Sequence, residues 1–215
     1  MTSDEFQTRL SRRAGEAMVA LSVDLAGRLE AYYQVLASWN RKINLTSLDL
    51  DVLDSAAIDR LFIEPLVAAG YANAQSSVID VGTGGGSPAI PFALAISATN
   101  LVMVESRARK SVFLREAVRA VELSNACVET GRFESLIGRP DLVEAHDILT
   151  IRAVRLDSEA LSQLQSFVKT QGVLFLFQSR QAAPAELPEQ LASRTRLVLS
   201  QTIDSQLEIL EKVQH

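Results

Sequence analysis

The run Asp80-Val81-Gly82-Thr83-Gly84-Gly85-Gly86-Ser87 sets a carboxylate two residues ahead of four glycines in five positions, directly after the apolar, β-branched pair Val78-Ile79. Glycine lets a backbone approach a ligand closely and adopt φ > 0. A helix that starts behind such a turn offers N–H groups without intrahelical partners. The residues therefore read as a nucleotide-cofactor loop, and its spacing chooses between cofactors. The dinucleotide fingerprint G-x-G-x-x-G calls for glycine at position 87, where Ser87 stands. An acid at Asp80 repels a pyrophosphate but suits S-adenosyl-L-methionine, which has no phosphate and carries an ammonium and a sulfonium. Asp80, Gly82, Gly84, Gly86 and Ser87 are thus expected to hold S-adenosyl-L-methionine rather than NAD. A structural β–α turn alone would not require so many glycines.

Further groups follow at the ends of later apolar runs. Glu105 lies 21 residues beyond Gly84, where an acid can bind ribose hydroxyls. Gly131-Arg132-Phe133-Glu134 follows the third run, at the position that meets adenine in such a site, although Phe133 fits a core position equally well. Arg152 follows the fourth run, where it can touch the substrate or the cofactor carboxylate. Arg107, Arg109 and Lys110 crowd the first turn of a helix, against its dipole. That placement fits either a nucleic-acid backbone or a simple surface cluster. No Asp/Asn-Pro-Pro-aromatic run follows the fourth strand, which argues against adenine amino methylation. Cys127 lies inside a strand and is expected to be a small buried hydrophobe, not a nucleophile.

These groups need a sheet with its strand ends on one edge. Apolar runs over Ser77–Val81, 100–105, Ala126–Thr130, 147–151 and 172–177 alternate with helical patterns over 88–98, 107–123 and 158–169. Regular alternation predicts a mainly parallel α/β sheet, Rossmann-like and of about seven strands, with ligands at the carboxyl ends. Residues 197–203 and 206–213 are expected to close it as a hairpin. Ahead of it, 4–19, 23–40 and 49–69 read as helices. Leu25, Leu29, Tyr32, Leu36 and Trp39 recur at 4, 3, 4 and 3 residues, which is one helical face. The expected organisation is a helical extension over 1–70 and a core over 71–215.

The bulk composition is consistent with this. The 215 residues, 47% of them hydrophobic, suffice for one sizeable core. No apolar run reaches the length of a membrane span, and the polar, acidic start is unlike a signal peptide. A single cysteine and two histidines argue against disulfides and metal clusters, and the single cysteine fits a reducing, cytoplasmic location. The net charge of −5 disfavours a general nucleic-acid binder but allows one local basic face.

Four segments taken together resemble one family. They are Trp39-Asn40-x-x-x-Asn44-Leu45-Thr46-Ser47, the Asp80 loop through Pro88-x-Ile90-Pro91, Val104-Glu105-Ser106 with Lys110-x-x-Phe113-Leu114, and Arg132-x-Glu134 followed by Arg152-Ala153. They are similar to the RsmG (GidB) family over residues 22–178. The first segment makes the likeness specific. The resemblance implies a methyltransferase that uses S-adenosyl-L-methionine to modify guanine N7 in 16S ribosomal RNA, within the small subunit or its precursor. It implies cofactor contacts at Gly82, Ser87, Phe133, Glu134 and Arg152, with Asp80 and Glu105 as additions. Arg152 and Arg132 would be catalytic, and Arg41, Lys42, Arg107, Arg109, Lys110 and Arg155 would meet RNA phosphate. The chain departs from the family at Ala56 and Arg60 in a His-x-x-Asp-Ser segment, at Ala89 after Pro88, and at Gln178-Ser179 after the fifth strand. These departures motivate two rival readings: a methyltransferase drifted to another substrate, and a cofactor- or ribosome-binding protein without turnover.

Overall fold

A computed structural model describes residues 1–152, 156–182, 186–200 and 203–214. Seven strands form one sheet in the order β3-β2-β1-β4-β5-β7-β6. They are β1 (Ser77–Val81), β2 (Asn100–Glu105), β3 (Ala126–Thr130), β4 (His146–Arg152), β5 (Val168–Gln178), β6 (Leu191–Ser200) and β7 (Ser205–Lys212). The first five pair in parallel, and β7 joins β5 and β6 antiparallel. The order reverses between β1 and β4, which places a crevice above their carboxyl ends.

Side chains alternate across the sheet and feed two cores. One face carries Val78, Leu101, Met103, Ile148 and Phe175 against α1 (Ser3–Glu16), α2 (Val23–Asn40), α5 (Ala89–Ala95) and α6 (Ala108–Ala120). The other carries Ile79, Val102, Leu149 and Leu174 against α7 (Ser158–Leu164) and short 3-10 turns. Local signals set the helix starts. Thr2 and Glu5 form a capping box on α1, Ser22 caps α2 at Leu25, and Asp157 caps α7 at Ala160.

Some expected boundaries move. Residues 49–54 are a turn rather than helix, because Asp49 accepts from the N–H groups of Asp51 and Val52 at 3.0 Å. The helix begins only at α3 (Ser55–Ile58), capped by Asp54, and passes through a π-type turn, Asp59–Ile63, into α4 (Glu64–Ala69). The helix expected over 158–169 stops at Leu164, and β5 begins at Val168, which pairs with His146. β6 starts six residues earlier than expected, at Leu191 rather than 197. Cys127 is exposed, not buried, because β3 is an edge strand whose Ala126 and Val128 face the core while Cys127 faces away. Ala153 and Arg155 lie outside the described residues.

Candidate active site

The glycine loop is held from several sides. One oxygen of the Glu105 carboxylate accepts from the Gly84 N–H at 2.9 Å and the other from the Arg107 N–H at 2.8 Å. Glu105 thereby clips the loop after β1 to the start of α6. From α2, the Tyr32 hydroxyl donates to the Gly85 carbonyl. Gly86, at φ +90°, lies so close to this ring that an added Cβ would stand 3.0 Å from both Tyr32 and Ile90. Its missing side chain is used to seat α2. Gly84, at φ +57°, is different: an added Cβ would meet nothing nearer than 3.7 Å, so ligand atoms can approach there.

Asp80 lies beneath the loop, 1% exposed. One carboxylate oxygen accepts from the Thr150 hydroxyl at 2.5 Å, and the other has no hydrogen-bond partner among the described residues. Burial pushes this carboxyl up to about 6, although Thr150, Thr83 and Arg152 oppose the shift.

Above the loop lies a cavity of about 370 Å³ bounded by Gly82–Gly85, Ser87, Leu36, the Leu45–Leu48 turn, Arg60 and Arg152. Asn40 explains how the turn comes to this wall. Its side-chain oxygen accepts from the N–H groups of Leu45 and Thr46 at 2.9 and 3.0 Å, folding the chain back over the end of α2. Trp39 packs edge-on against Phe113 of α6, with ring centroids 6.2 Å apart. The Trp-Asn…Leu-Thr-Ser motif is therefore a device that fixes one wall of the cavity.

Arg152 forms the opposite wall. Its guanidinium donates to the Arg60 carbonyl at 2.5 Å, to Ser87 Oγ at 3.3 Å and to Glu64 Oε2 at 2.8 Å, and stacks 4.7 Å from the Phe177 ring. Desolvation lowers it to about 10, against the pull of Glu64, so it stays charged at neutral pH. Arg60 reaches the same Glu64 oxygen at 3.3 Å.

The β2–β3 side of the edge is more open. The Gly131 N–H donates to the Glu105 carbonyl at 3.0 Å, which keeps the β3 tip beside β2. Phe133 begins a 3-10 turn, Phe133–Leu136, and is half-buried against the second core, while Arg132 and Glu134 are exposed. Of the expected site residues, Gly82, Gly84, Ser87 and Arg152 line the cavity. Asp80 and Gly86 support it from below and behind, and Glu105, Phe133, Glu134 and Arg132 lie on the neighbouring tips. Among the basic residues, Arg107 and Arg109 are exposed and Lys110 half-buried. Arg41 is paired with Asp51 at 2.6 Å, and Lys42 lies over Trp39 at 5.7 Å. Among the described residues no cluster of three or more His, Cys, Asp or Glu could hold a metal ion, and no helix is long and apolar enough to cross a membrane.

Sequence reasoning missed Glu64, Thr150, Tyr32 and the capping role of Asn40. Glu64 had a usable signal: it is the sole charge in Leu61-Phe62-Ile63-Glu64-Pro65-Leu66, four residues after Arg60. Thr150 had none, since its link to Asp80 depends on the β1–β4 register.

The cavity fits an amino-acid-bearing nucleoside. It offers guanidinium groups for a carboxylate, hydroxyls at Thr46, Ser47 and Ser87, and apolar walls at Leu36, Leu45 and Leu61. The fold is shared with a SAM-dependent methyltransferase from Aquifex aeolicus, at TM-score 0.55 and 13% identity over 76% of this chain and 95% of that one. It is also shared with TrmN from Thermus thermophilus, at TM-score 0.55 and 19% identity over 69% and 49%. Sheet order and glycine loop define the Rossmann-like fold that these two proteins share. The family "GidB: rRNA small subunit methyltransferase G" matches residues 26–215. Ribosomal RNA small subunit methyltransferase G of Dictyoglomus thermophilum is 31% identical over 86% of the chain and 75% of its own length. That of Bacillus subtilis is 31% identical over 86% and 74%. The chain belongs to the rRNA small subunit methyltransferase G family.

Proposed function

We propose that the cavity binds S-adenosyl-L-methionine and that the chain methylates N7 of a guanine in 16S ribosomal RNA, presented by the small subunit or its precursor. One observation carries this reading. The Leu45–Leu48 turn, part of the segment most specific to the family, and the glycine loop, which suits the cofactor, form two walls of a single cavity. The cofactor supplies an electrophilic methyl group. Guanine N7 has a free lone pair and no proton, so no residue here is required to act as a base. The chain's contribution is to bind and orient. Gly82, Gly84 and Ser87 border the cofactor, while Asp80 keeps an acid beneath its positive end. Glu105 retains lone pairs for ribose hydroxyls, and Phe133 and Glu134 flank the adenine. Arg152 and Arg132 position the reacting groups, which is where alignment and electrostatics reduce the barrier. Arg41, Lys42, Arg107, Arg109 and Lys110 would take RNA phosphates on one local face of an acidic protein. In this reading residues 1–70 form a helical extension and 71–215 the catalytic core, in a cytoplasmic monomer.

The test uses methyl-labelled S-adenosyl-L-methionine and small subunits from a strain lacking the modification. Label should appear in 16S RNA and map to a guanine N7. Cofactor binding by calorimetry with no label in RNA would overturn the substrate. Label in another RNA would favour a drifted specificity.

A further inference from the structure

Two guanidinium groups share one buried carboxylate on the cavity wall. Arg152 is 8% exposed at its side chain and Glu64 0%. Arg152 has both terminal nitrogens committed: one to the Arg60 carbonyl and Ser87, the other to Glu64 at 2.8 Å. Its Nε is buried and has no partner among the described residues. Its terminal donors are thus spent on the wall, and what Arg152 presents to the cavity is a fixed position and a charge. Arg60 is held differently. Among the described residues its side chain bonds Glu64 alone, at 3.3 Å, and it is 29% exposed where it borders the cavity. Glu64 is shared by the two guanidiniums, and Asp80, bonded to Thr150 beneath the loop, acts electrostatically on Arg152. Guanidinium donors left to face the cavity are those of Arg60.

We propose that Arg60, steered by Glu64, receives the α-carboxylate of the cofactor and so selects for the complete amino-acid tail. The inference rests on the reading that this cavity binds S-adenosyl-L-methionine. It assigns the carboxylate to Arg60, where the family pattern carries serine, and makes Glu64 a positioning residue. Both partners arise within a single helical turn at i and i+4, the spacing that brings side chains together. A planar guanidinium matches a carboxylate with two parallel donors.

Calorimetry with S-adenosyl-L-methionine and with its decarboxylated analogue separates the possibilities, since the two ligands differ only in the carboxylate. The wild-type protein should bind the complete cofactor about 10- to 100-fold more tightly, the range of one charge-assisted contact. Arg60→Ala and Arg60→Gln should abolish that discrimination while holding the decarboxylated ligand within about threefold of wild type. Retained affinity for the analogue shows that the variants are folded. Unchanged discrimination in both variants would overturn the assignment, even if RNA binding weakens, because Arg60 would then be reading RNA phosphate. Failure of the wild-type protein to bind either ligand would instead overturn the cofactor reading itself.

Discussion

The carboxyl edge of the sheet has two halves built to different standards. Over β1 and β4, Asp80, Glu64 and Arg152 are buried or nearly so and have dedicated partners: Asp80 with Thr150, and Arg152 with Glu64, Ser87 and the Arg60 carbonyl. Over β2 and β3, only Glu105 is fixed in that way, and Arg132 and Glu134 stand in solvent on a short turn at the sheet margin. The first half needs no ligand to hold its shape. The second has little of its own to hold Arg132 and Glu134 in place. The difference follows from strand order, because β1 and β4 are central and covered on both faces while β3 is an edge.

The sharpest way to break the contrast is Arg152→Ala. It strands Glu64 in the interior with only the longer Arg60 contact, so unfolding free energy in urea should fall by about 3–5 kcal/mol. The second largest effect is Asp80→Asn, and its sign is opposite. The folded carboxyl titrates near 6 against about 3.9 when unfolded. The native state therefore binds the extra proton between those values, and stability declines as pH rises through them. Removing the charge should raise stability by about 2–3 kcal/mol above pH 6, with the gain vanishing near pH 4. The comparison must be variant minus wild type. His146, held neutral by burial with its value lowered to about 4, costs stability as pH falls through the same window.

Asn40→Ala should cost about 1–2 kcal/mol through two lost bonds to the Leu45–Thr46 backbone. Hydrogen exchange at those two amides should quicken before the rest of α2 is affected. The open half should respond least in stability. Arg132→Ala should leave the melting temperature in place and act only on methyl transfer to small subunits. Cys127→Ser, on the exposed face of β3, should stay within about 0.5 kcal/mol of wild type.

The same contrast marks what the sequence made visible. β1 and β2 fall where their apolar runs place them, because short parallel strands covered by helices are written as near-continuous Val, Ile, Leu and Met, and β3 falls at its expected place although, as an edge strand, it reads Ala-Cys-Val-Glu-Thr. β6 was under-read because an edge strand carries charges such as Arg194 and Arg196 on its exposed side. The start of β5 was hidden in a helical pattern, since Lys169, Thr170 and Gln171 are polar and exposed. In the site, the glycine loop and Arg152 were legible from type and position. The partners that fix them were not. Tyr32–Gly85 and Arg152–Glu64 join positions 53 and 88 residues apart, and only the folded register brings such pairs together.

The π-type turn over Asp59–Ile63 sorts charges between two sides of the molecule. Asp59 turns toward Arg13 of α1, at 2.6 Å, and Ser200 of β6, at 2.7 Å, while Arg60 and Glu64 turn toward the cavity. Each α-helical residue advances the face by about 100°. Loss of a single residue from this stretch would swing one set of charges off its target whichever side adjusted. Length is thus what this segment must preserve alongside its buried Leu61, Phe62 and Ile63: insertions and deletions should be purged in descendants of this chain.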